Sequence, residues 1–230
     1  MTATLPIYCD YNATAPVRPA AAAAVAAALE GLGNPSSVHA PGRAAWAVVE
    51  RARRAVTSLA GTVSADVVFT SGASEANNLA LRGIAGRRPV LSVIEHDSVL
   101  AAAPDAVCVP VLADGRIDLD ALEAALAGNG CPALVSVMAA NNETGVIQPV
   151  AAVVAIARRH GALVHCDAVQ AAGRLPLAFD ALDFDLMSLS AHKIGGPTGA
   201  GALLLRQGLE LVSQIVGGDQ EKRRRAGTEN

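Results

Sequence analysis

The chain has 230 residues, of which 52% are hydrophobic and 17% are charged, a composition that is typical of a globular core and excludes a disordered protein. The net charge of −3 leaves no basic surface for nucleic acid or for an anionic membrane, and the one basic run, 222–225, is typical of a solvated or ligand-facing loop. No apolar run reaches the ~18–20 residues that span a bilayer, and the first residues lack a signal peptide, so we expect a cytoplasmic protein.

Short apolar segments alternate along the chain with longer alanine-rich or amphipathic segments. The predicted helices are 19–32, 43–60, 75–84, 118–127 and 150–160, and Asp118 is the expected N-cap of the fourth. The predicted strands are 67–70, 90–94, 106–111, 134–138, 162–166, 185–189 and 202–205. Several are apolar on both faces, which favours a parallel sheet covered on two sides. We therefore predict an α/β fold, a three-layer sandwich around a mostly parallel open sheet.

The four cysteines, Cys9, Cys108, Cys131 and Cys166, have neither CxxC spacing nor the pattern of a disulfide framework. Without a secretion signal, we expect reduced thiols in the core rather than disulfides. His165 and Cys166 are adjacent in a predicted strand and should point to opposite faces of the sheet. The sequence therefore predicts no metal site.

Polar residues follow five of the predicted strands at the point where each strand ends. The five segments are 70–75, 95–97, 141–145, 167–170 and 190–193. In open α/β sheets, ligands bind beyond the carboxyl ends of the strands. We expect these segments to converge on one pocket.

Lys193 is one of only two lysines, and it stands between a predicted buried strand and a glycine pair. A desolvated lysine amine has a lowered pKa and condenses with an aldehyde cofactor to form a Schiff base. The alternative is a lysine that extends from the strand end into water. The neighbouring segments help to decide between the two.

The segment 71–74 is a strand-to-helix turn of small residues, which leaves backbone N–H groups and the Ser74 hydroxyl free to bind a phosphate. It lacks the signature of an NTPase loop, and the alternative is an ordinary helix N-cap at Ser74.

A buried Asp167 would suit a protonated pyridine nitrogen, or it would cap the following segment. His96 could stack on a flat ring and transfer protons, or be purely structural. Together with the amides of Asn142 and Gln170 near the ring oxygen, these residues suit pyridoxal 5'-phosphate (PLP).

In chain order, the motifs resemble those of the NifS/IscS-type cysteine desulfurases, within the class V aminotransferase superfamily of fold-type-I PLP enzymes. The segments are YCDYNATAP (8–16), GNPSSVH (33–39), FTSGASEANN (69–78), NNETGV (141–146), HCDAVQ (165–170), SAHK (190–193) and RAGTEN (225–230). The resemblance implies an enzyme that converts L-cysteine to L-alanine and an enzyme-bound persulfide. That sulfur would serve iron–sulfur clusters or thiolated tRNA, with an iron–sulfur scaffold or a sulfur-acceptor protein as partner.

The resemblance also implies a role for each site residue. Lys193 would bind PLP covalently, and His96 would stack on its ring and join in catalysis. The other implied cofactor contacts are Ala73 (through its backbone), Ser74, Ser190 and His192 at the phosphate, Asp167 at the pyridine nitrogen, and Asn142 and Gln170 at the ring oxygen. Ala191 is a further expected cofactor contact. Thr228 would reach the phosphate of a partner subunit, which implies a homodimer.

The chain stops inside a family motif, before the loop that carries the family's catalytic cysteine and the substrate-binding arginine. We predict that residues 1–17 join a small domain, that 18–230 form the PLP-binding large domain, and that the C-terminal small domain is absent. Cys9 and Cys166 are predicted in strands, and Cys108 and Cys131 beside connections, so the isolated chain should be inactive in desulfuration. The alternatives are a selenocysteine lyase or another class V aminotransferase, and a non-catalytic PLP-binding or dimerisation module.

Overall fold

The computed structural model describes residues 7–127, 130 and 132–230, which form a seven-stranded sheet with helices on both faces. The strands are β1 (Asp66–Thr70), β2 (Arg88–Ser92), β3 (Val107–Val109), β4 (Ala133–Met138), β5 (Leu163–Asp167), β6 (Leu186–Ser190) and β7 (Gly201–Leu205). The helices are α1 (Pro19–Leu29), α2 (Ala40–Ala60), α3 (Ala73–Gly83), α4 (Asp97–Leu100), α5 (Leu119–Ala127) and α6 (Val150–Arg159). Two 3-10 helices span Ala191–Lys193 and Gln220–Arg223.

The strand order is β1-β7-β6-β5-β4-β2-β3, and β7 is the one strand of this sheet that runs opposite to the others. Because β7 is antiparallel to both β1 and β6, those two strands point the same way as the rest. The carboxyl ends of β1, β2, β4, β5 and β6 therefore meet at one edge of the sheet. The prediction of a mostly parallel sheet is confirmed.

Two apolar layers enclose the sheet, because strand side chains alternate between its faces. On one face, Val135 of β4 and Val164 of β5 belong to a core that also contains residues of α5 and α6. On the other, Leu134 and Leu186 pack with residues of α3 and α4. Since every residue of β4, β6 and β7 is buried, these strands need the apolar sequence that led us to predict a three-layer sandwich.

The main differences from the predicted elements lie at helix ends and in short segments. α1 ends at Leu29 because Gly31 and Gly33 follow it, and it buries none of its residues. β3 has three residues rather than the predicted six. α4 was not predicted, since four residues are too few for a helical period. Asp118 is the N-cap predicted for α5, with its Oδ1 accepting the Ala121 N–H at 3.0 Å.

The basic run 222–225 is solvated in part, as predicted, since Lys222 and Arg223 are exposed while Arg224 and Arg225 are half-buried. Each of its side chains pairs with a carboxylate. The pairs are Lys222 with Asp66, Arg223 with Asp219, Arg224 with Asp66 and Arg225 with Glu75. This segment is thereby attached to the start of β1 and the first turn of α3. No helix in the described part of the chain is both long and apolar enough to cross a bilayer.

Candidate active site

A cavity of about 380 Å³ lies at the edge of the sheet where the five parallel strands end. Its lining contains residues from all five of the polar segments that follow those strands. The predicted site residues that line this cavity are Ala73, Ser74, His96, Asn142, Asp167, Gln170, Ser190, His192 and Lys193. The predicted convergence on one pocket is therefore observed.

The turn between β1 and α3 presents unbonded polar groups to the cavity. Within the described structure, the N–H groups of Ala73 and Ser74 and the hydroxyls of Ser74 and Ser190 make no hydrogen bond. Ser74 is thus not the N-cap, a position that Gly72 occupies. A Cβ on Gly201 of β7 would lie 2.6 Å from the Gly72 backbone, so this turn depends on a glycine beside it.

Lys193 lies half-buried at the end of the 3-10 helix that follows β6. Burial lowers its pKa, and the charge of Arg174 lowers it further, against the opposing charges of Asp10 and Asp167. Its ammonium donates a hydrogen bond to the backbone carbonyl of Asn12. The pKa of His192 is also lowered, mainly by burial and then by the charge of Lys193. Both groups are thus biased toward their neutral forms.

Asp167 ends β5 and is almost fully buried at the cavity wall. Its Oδ1 accepts the Val169 N–H at 3.0 Å, and its Oδ2 accepts a hydrogen from Asn77 Nδ2 at 2.9 Å. Burial raises its pKa, while these hydrogen bonds and the charges of His96 and Lys193 oppose the increase. Asp167 therefore caps the turn after β5 and also presents a carboxylate to the cavity, so the two predicted roles are compatible.

His96 is exposed at the cavity and caps α4. Its Nδ1 accepts the Ser98 N–H at 3.1 Å and lies 2.8 Å from the Ser98 hydroxyl. Nε2 makes no hydrogen bond within the described residues. The free ring nitrogen is thus available to a molecule in the cavity.

The segment 11–18 contacts residues of the cavity lining, and sequence reasoning did not assign it a place there. The Asn12 carbonyl accepts hydrogens from Gln170 Nε2 at 2.9 Å and from Lys193, and its side chain donates to the Asn142 carbonyl at 3.1 Å. Thr14 contacts His192 through its side chain. The motif at 8–16 was the signal that could have revealed this contact.

Two of the proposed cofactor contacts do not line this cavity. The backbone of Ala191 is used within the fold, its N–H donating to Ala200 at 3.0 Å and its carbonyl accepting from Gly196 at 2.9 Å. Thr228 is exposed beside Ser71 and Gly199, in a separate depression. That location leaves Thr228 free to contact another molecule.

Two buried groups below the cavity were not identified as functional from the sequence. Burial raises the pKa of Glu95 to about 8, with the charge of Asp167 adding to the effect and the Met138 N–H opposing it. His165 lies between two hydroxyls, 2.8 Å from that of Ser136 and 2.9 Å from that of Ser188, and burial lowers its pKa to about 3. Both side chains are therefore neutral at pH 7.

None of the three described cysteines lines the cavity. Cys166 is buried in the core on β5, as predicted for a strand residue. Cys9 is exposed in an irregular segment, so the prediction of a strand there was wrong, whereas Cys108 lies in β3, within the predicted strand 106–111. Both thiols are exposed, contrary to the expectation of core cysteines. Cys131 lies outside the described residues.

The sequence matches the class V aminotransferase family over residues 7–228. The cysteine desulfurase of Cereibacter sphaeroides is 44% identical, over 97% of this chain and 61% of that protein. The IscS-like cysteine desulfurase of Mycobacterium tuberculosis is 41% identical, over 96% of this chain and 61% of that protein. The chain thus spans about three-fifths of the length of these relatives, and the predicted resemblance to cysteine desulfurases is confirmed.

Solved structures show the same similarity. The NifS-like protein of Rickettsia africae superposes with a TM-score of 0.94 at 36% identity, over 97% of this chain and 64% of that one. SspA, solved in complex with cysteine, superposes with a TM-score of 0.89 at 32% identity, over 96% of this chain and 68% of that one. Both superpositions cover nearly the whole of this chain. The chain therefore belongs to the class V aminotransferase family.

Proposed function

We propose that this chain is the PLP-binding part of a cysteine desulfurase. The observation that carries the proposal is the shared cavity, which combines Lys193, the buried carboxylate of Asp167 and a helix end with unbonded N–H groups. Each of these groups complements a different part of PLP. The membership of the class V family supports the same cofactor.

The phosphate would bind at the first turn of α3. The free N–H groups of Ala73 and Ser74 and the hydroxyls of Ser74 and Ser190 supply donors without a protein partner, and the helix dipole favours an anion there. His192 lines the same end of the cavity. The donor set thus suits a phosphate, and its chemistry fits the cofactor.

The remaining lining residues suit a protonated, flat ring. Asp167 would accept the pyridine N–H, His96 would contact the ring face, and Gln170 would address the ring oxygen. When bound, PLP supplies an electron sink for bonds at the α-carbon of an amino acid. The lowered pKa of Lys193 makes its amine a better nucleophile toward an aldehyde.

L-cysteine is the proposed substrate, because the curated relatives are cysteine desulfurases and SspA was solved with cysteine. A homodimer is consistent with Thr228, which is exposed outside its own cavity. An iron–sulfur scaffold or another sulfur acceptor is the corresponding protein partner. A cytoplasmic location is part of the same proposal.

The proposal is tested by titrating the 230-residue chain with PLP, reducing with borohydride and mapping the labelled peptide. We expect visible absorbance and label on Lys193, abolished in Lys193→Ala and retained in Lys222→Ala, which removes the only other lysine. Label on Lys222, or none in a folded sample, would reject the cofactor assignment.

The substrate is tested on the PLP-loaded chain by adding L-cysteine, with D-cysteine and L-alanine as controls. We expect a spectral change with L-cysteine at lower concentration than with either control. Equal responses to all three would leave PLP binding in place but reject L-cysteine as the preferred ligand, in favour of a non-catalytic PLP-binding module or a different class V enzyme.

A further inference from the structure

A chain of side-chain hydrogen bonds connects Asp167 to His96 along the cavity wall. Asn77 Nδ2 donates to Asp167 Oδ2 at 2.9 Å and to Ser98 Oγ at 2.9 Å. Ser98 Oγ in turn lies 2.8 Å from His96 Nδ1. The four residues come from different parts of the chain: α3, α4, the end of β5 and the turn after β2.

The chemistry of the groups sets the direction of this chain. An ionised Asp167 can only accept, so the nitrogen of the Asn77 amide must face it. The Ser98 oxygen accepts from that same nitrogen, which leaves its hydrogen for His96 Nδ1. The backbone N–H of Ser98 also points at Nδ1, so the hydrogen of a neutral His96 ring is on Nε2.

Asn77 is fully buried, and its Oδ1 has no hydrogen-bond partner in the described structure. An unpaired buried amide oxygen destabilises a fold, and an apolar side chain on α3 would avoid that penalty. The two hydrogen bonds made by Nδ2 therefore account for an amide at this position. They connect Asp167 and Ser98, and through Ser98 also His96, all of which line the cavity.

We infer that Asn77 is a positioning residue that couples Asp167 to His96 through the Ser98 hydroxyl. The purpose of the coupling rests on the proposed function, in which Asp167 meets the ring nitrogen of PLP and His96 meets its face. Asn77 then fixes the two groups relative to one another. It also keeps Nε2–H of His96 as the group offered to the cavity.

The coupling is measured on the full 230-residue chain without PLP, from the ¹⁵N chemical shift of His96 Nδ1. We expect Asn77→Ala and Ser98→Ala each to shift this signal, and Asn77→Ala to add nothing in the Ser98→Ala background. Ser98→Thr, which keeps a hydroxyl, should restore the wild-type value. Asn78→Ala is the matched control, because Asn78 neighbours Asn77 but bonds only the carbonyls of Ser74 and Ser98.

Two results would overturn the inference. One is an unchanged His96 signal in Asn77→Ala. The other is that Asn77→Ala shifts the His96 signal equally in the wild-type chain and in the Ser98→Ala background. A further test uses the wild-type chain alone. If the Ser98 hydroxyl donates to His96 Nδ1, its proton should exchange slowly with solvent, and rapid exchange would contradict the coupling. None of these measurements uses PLP. If the chain failed to bind PLP, the proposed function would be rejected, but the coupling through Asn77 would still be tested by the His96 signal.

Discussion

Glu95 and Asp167 lie on either side of Met138 at the carboxyl edge of the sheet. The Met138 N–H donates to Glu95 Oε1 at 2.8 Å, and Met138 is the register partner of Asp167 between β4 and β5. Both carboxyl groups are buried. Burial raises the pKa of Glu95 to about 8, and the Asp167 charge contributes, so Glu95 keeps its proton at pH 7.

This relationship predicts a pH dependence of stability. Unfolded Glu95 loses its proton near its ordinary pKa of 4.5, whereas folded Glu95 loses it near 8, so the folded state binds more protons between these values. Its contribution is fully present below about pH 4.5 and is lost as the pH rises through 8. Between pH 5 and 8.5, the free energy of unfolding of the wild-type chain should decrease by a few kcal/mol as folded Glu95 loses its proton. In Glu95→Gln, which is neutral at every pH, this decrease should be absent.

The measurement is urea denaturation of wild type and Glu95→Gln at several pH values. Glu30→Gln, at the exposed end of α1, serves as the control. The same pH slope for wild type and Glu95→Gln would show that Glu95 is ionised in the folded chain.

Replacing Asp167 should weaken both PLP binding and the fold. Asp167→Ala removes the carboxylate proposed for the pyridine nitrogen, and losing a charge-assisted hydrogen bond corresponds to a loss of about 10- to 100-fold in affinity. The fold loses the acceptor of the Val169 N–H, a change of about 1–2 kcal/mol. PLP titration and urea denaturation on the same samples separate the two effects. Wild-type PLP affinity in a less stable variant would mean that Asp167 is only a cap.

The 230-residue chain should release no sulfide from L-cysteine in repeated turnovers. A thiolate must come within about 3–3.5 Å of the reacting sulfur, and none of the described cysteines lines the cavity. Cys166 is further disfavoured, because burial raises its thiol pKa. Sulfide and alanine are measured with PLP and reductant present, and Cys131→Ser is assayed in parallel. Several sulfides per chain, lost in one Cys→Ser variant, would identify a catalytic cysteine and contradict this prediction.

Asp185 should matter for stability rather than for PLP binding. It is buried at the start of β6 and accepts hydrogens from Val164 N at 2.7 Å and from Arg206 Nε at 2.9 Å, with Arg158 paired at 2.8 Å. Asp185→Ala leaves the Val164 N–H without its acceptor and leaves Asp183 as the remaining ion-pair partner of both arginines. We expect a loss of about 1–3 kcal/mol in the free energy of unfolding.

Asp114→Ala is the matched control, because it breaks an ion pair with Arg116 on the surface. Urea denaturation should separate the two variants clearly. If both variants lost the same small amount of unfolding free energy, the contacts of Asp185 would stabilise the fold no more than a surface ion pair does.

The order of the elements and the edge of the sheet that carries the site follow from the sequence. Apolar runs such as 134–138 predict strands that are buried on both faces of the sheet. The polar segments after five strands predict the edge of the sheet where the site lies. The convergence of Asp167 and Lys193 on one cavity followed from a general property of parallel sheets. The motifs then predicted the family to which the chain belongs.

The tertiary structure alone decided how these groups interact. Three features depend on residues far apart in the chain: the antiparallel direction of β7, the hydrogen bond from Lys193 to the Asn12 carbonyl, and the connection of Asp167 to Ser98 through Asn77. The proton held by Glu95 likewise depends on burial and on a neighbouring carboxylate. The physical reason is that periodicity along a sequence records how buried a residue is, whereas the partner of a buried polar group is set by three-dimensional packing.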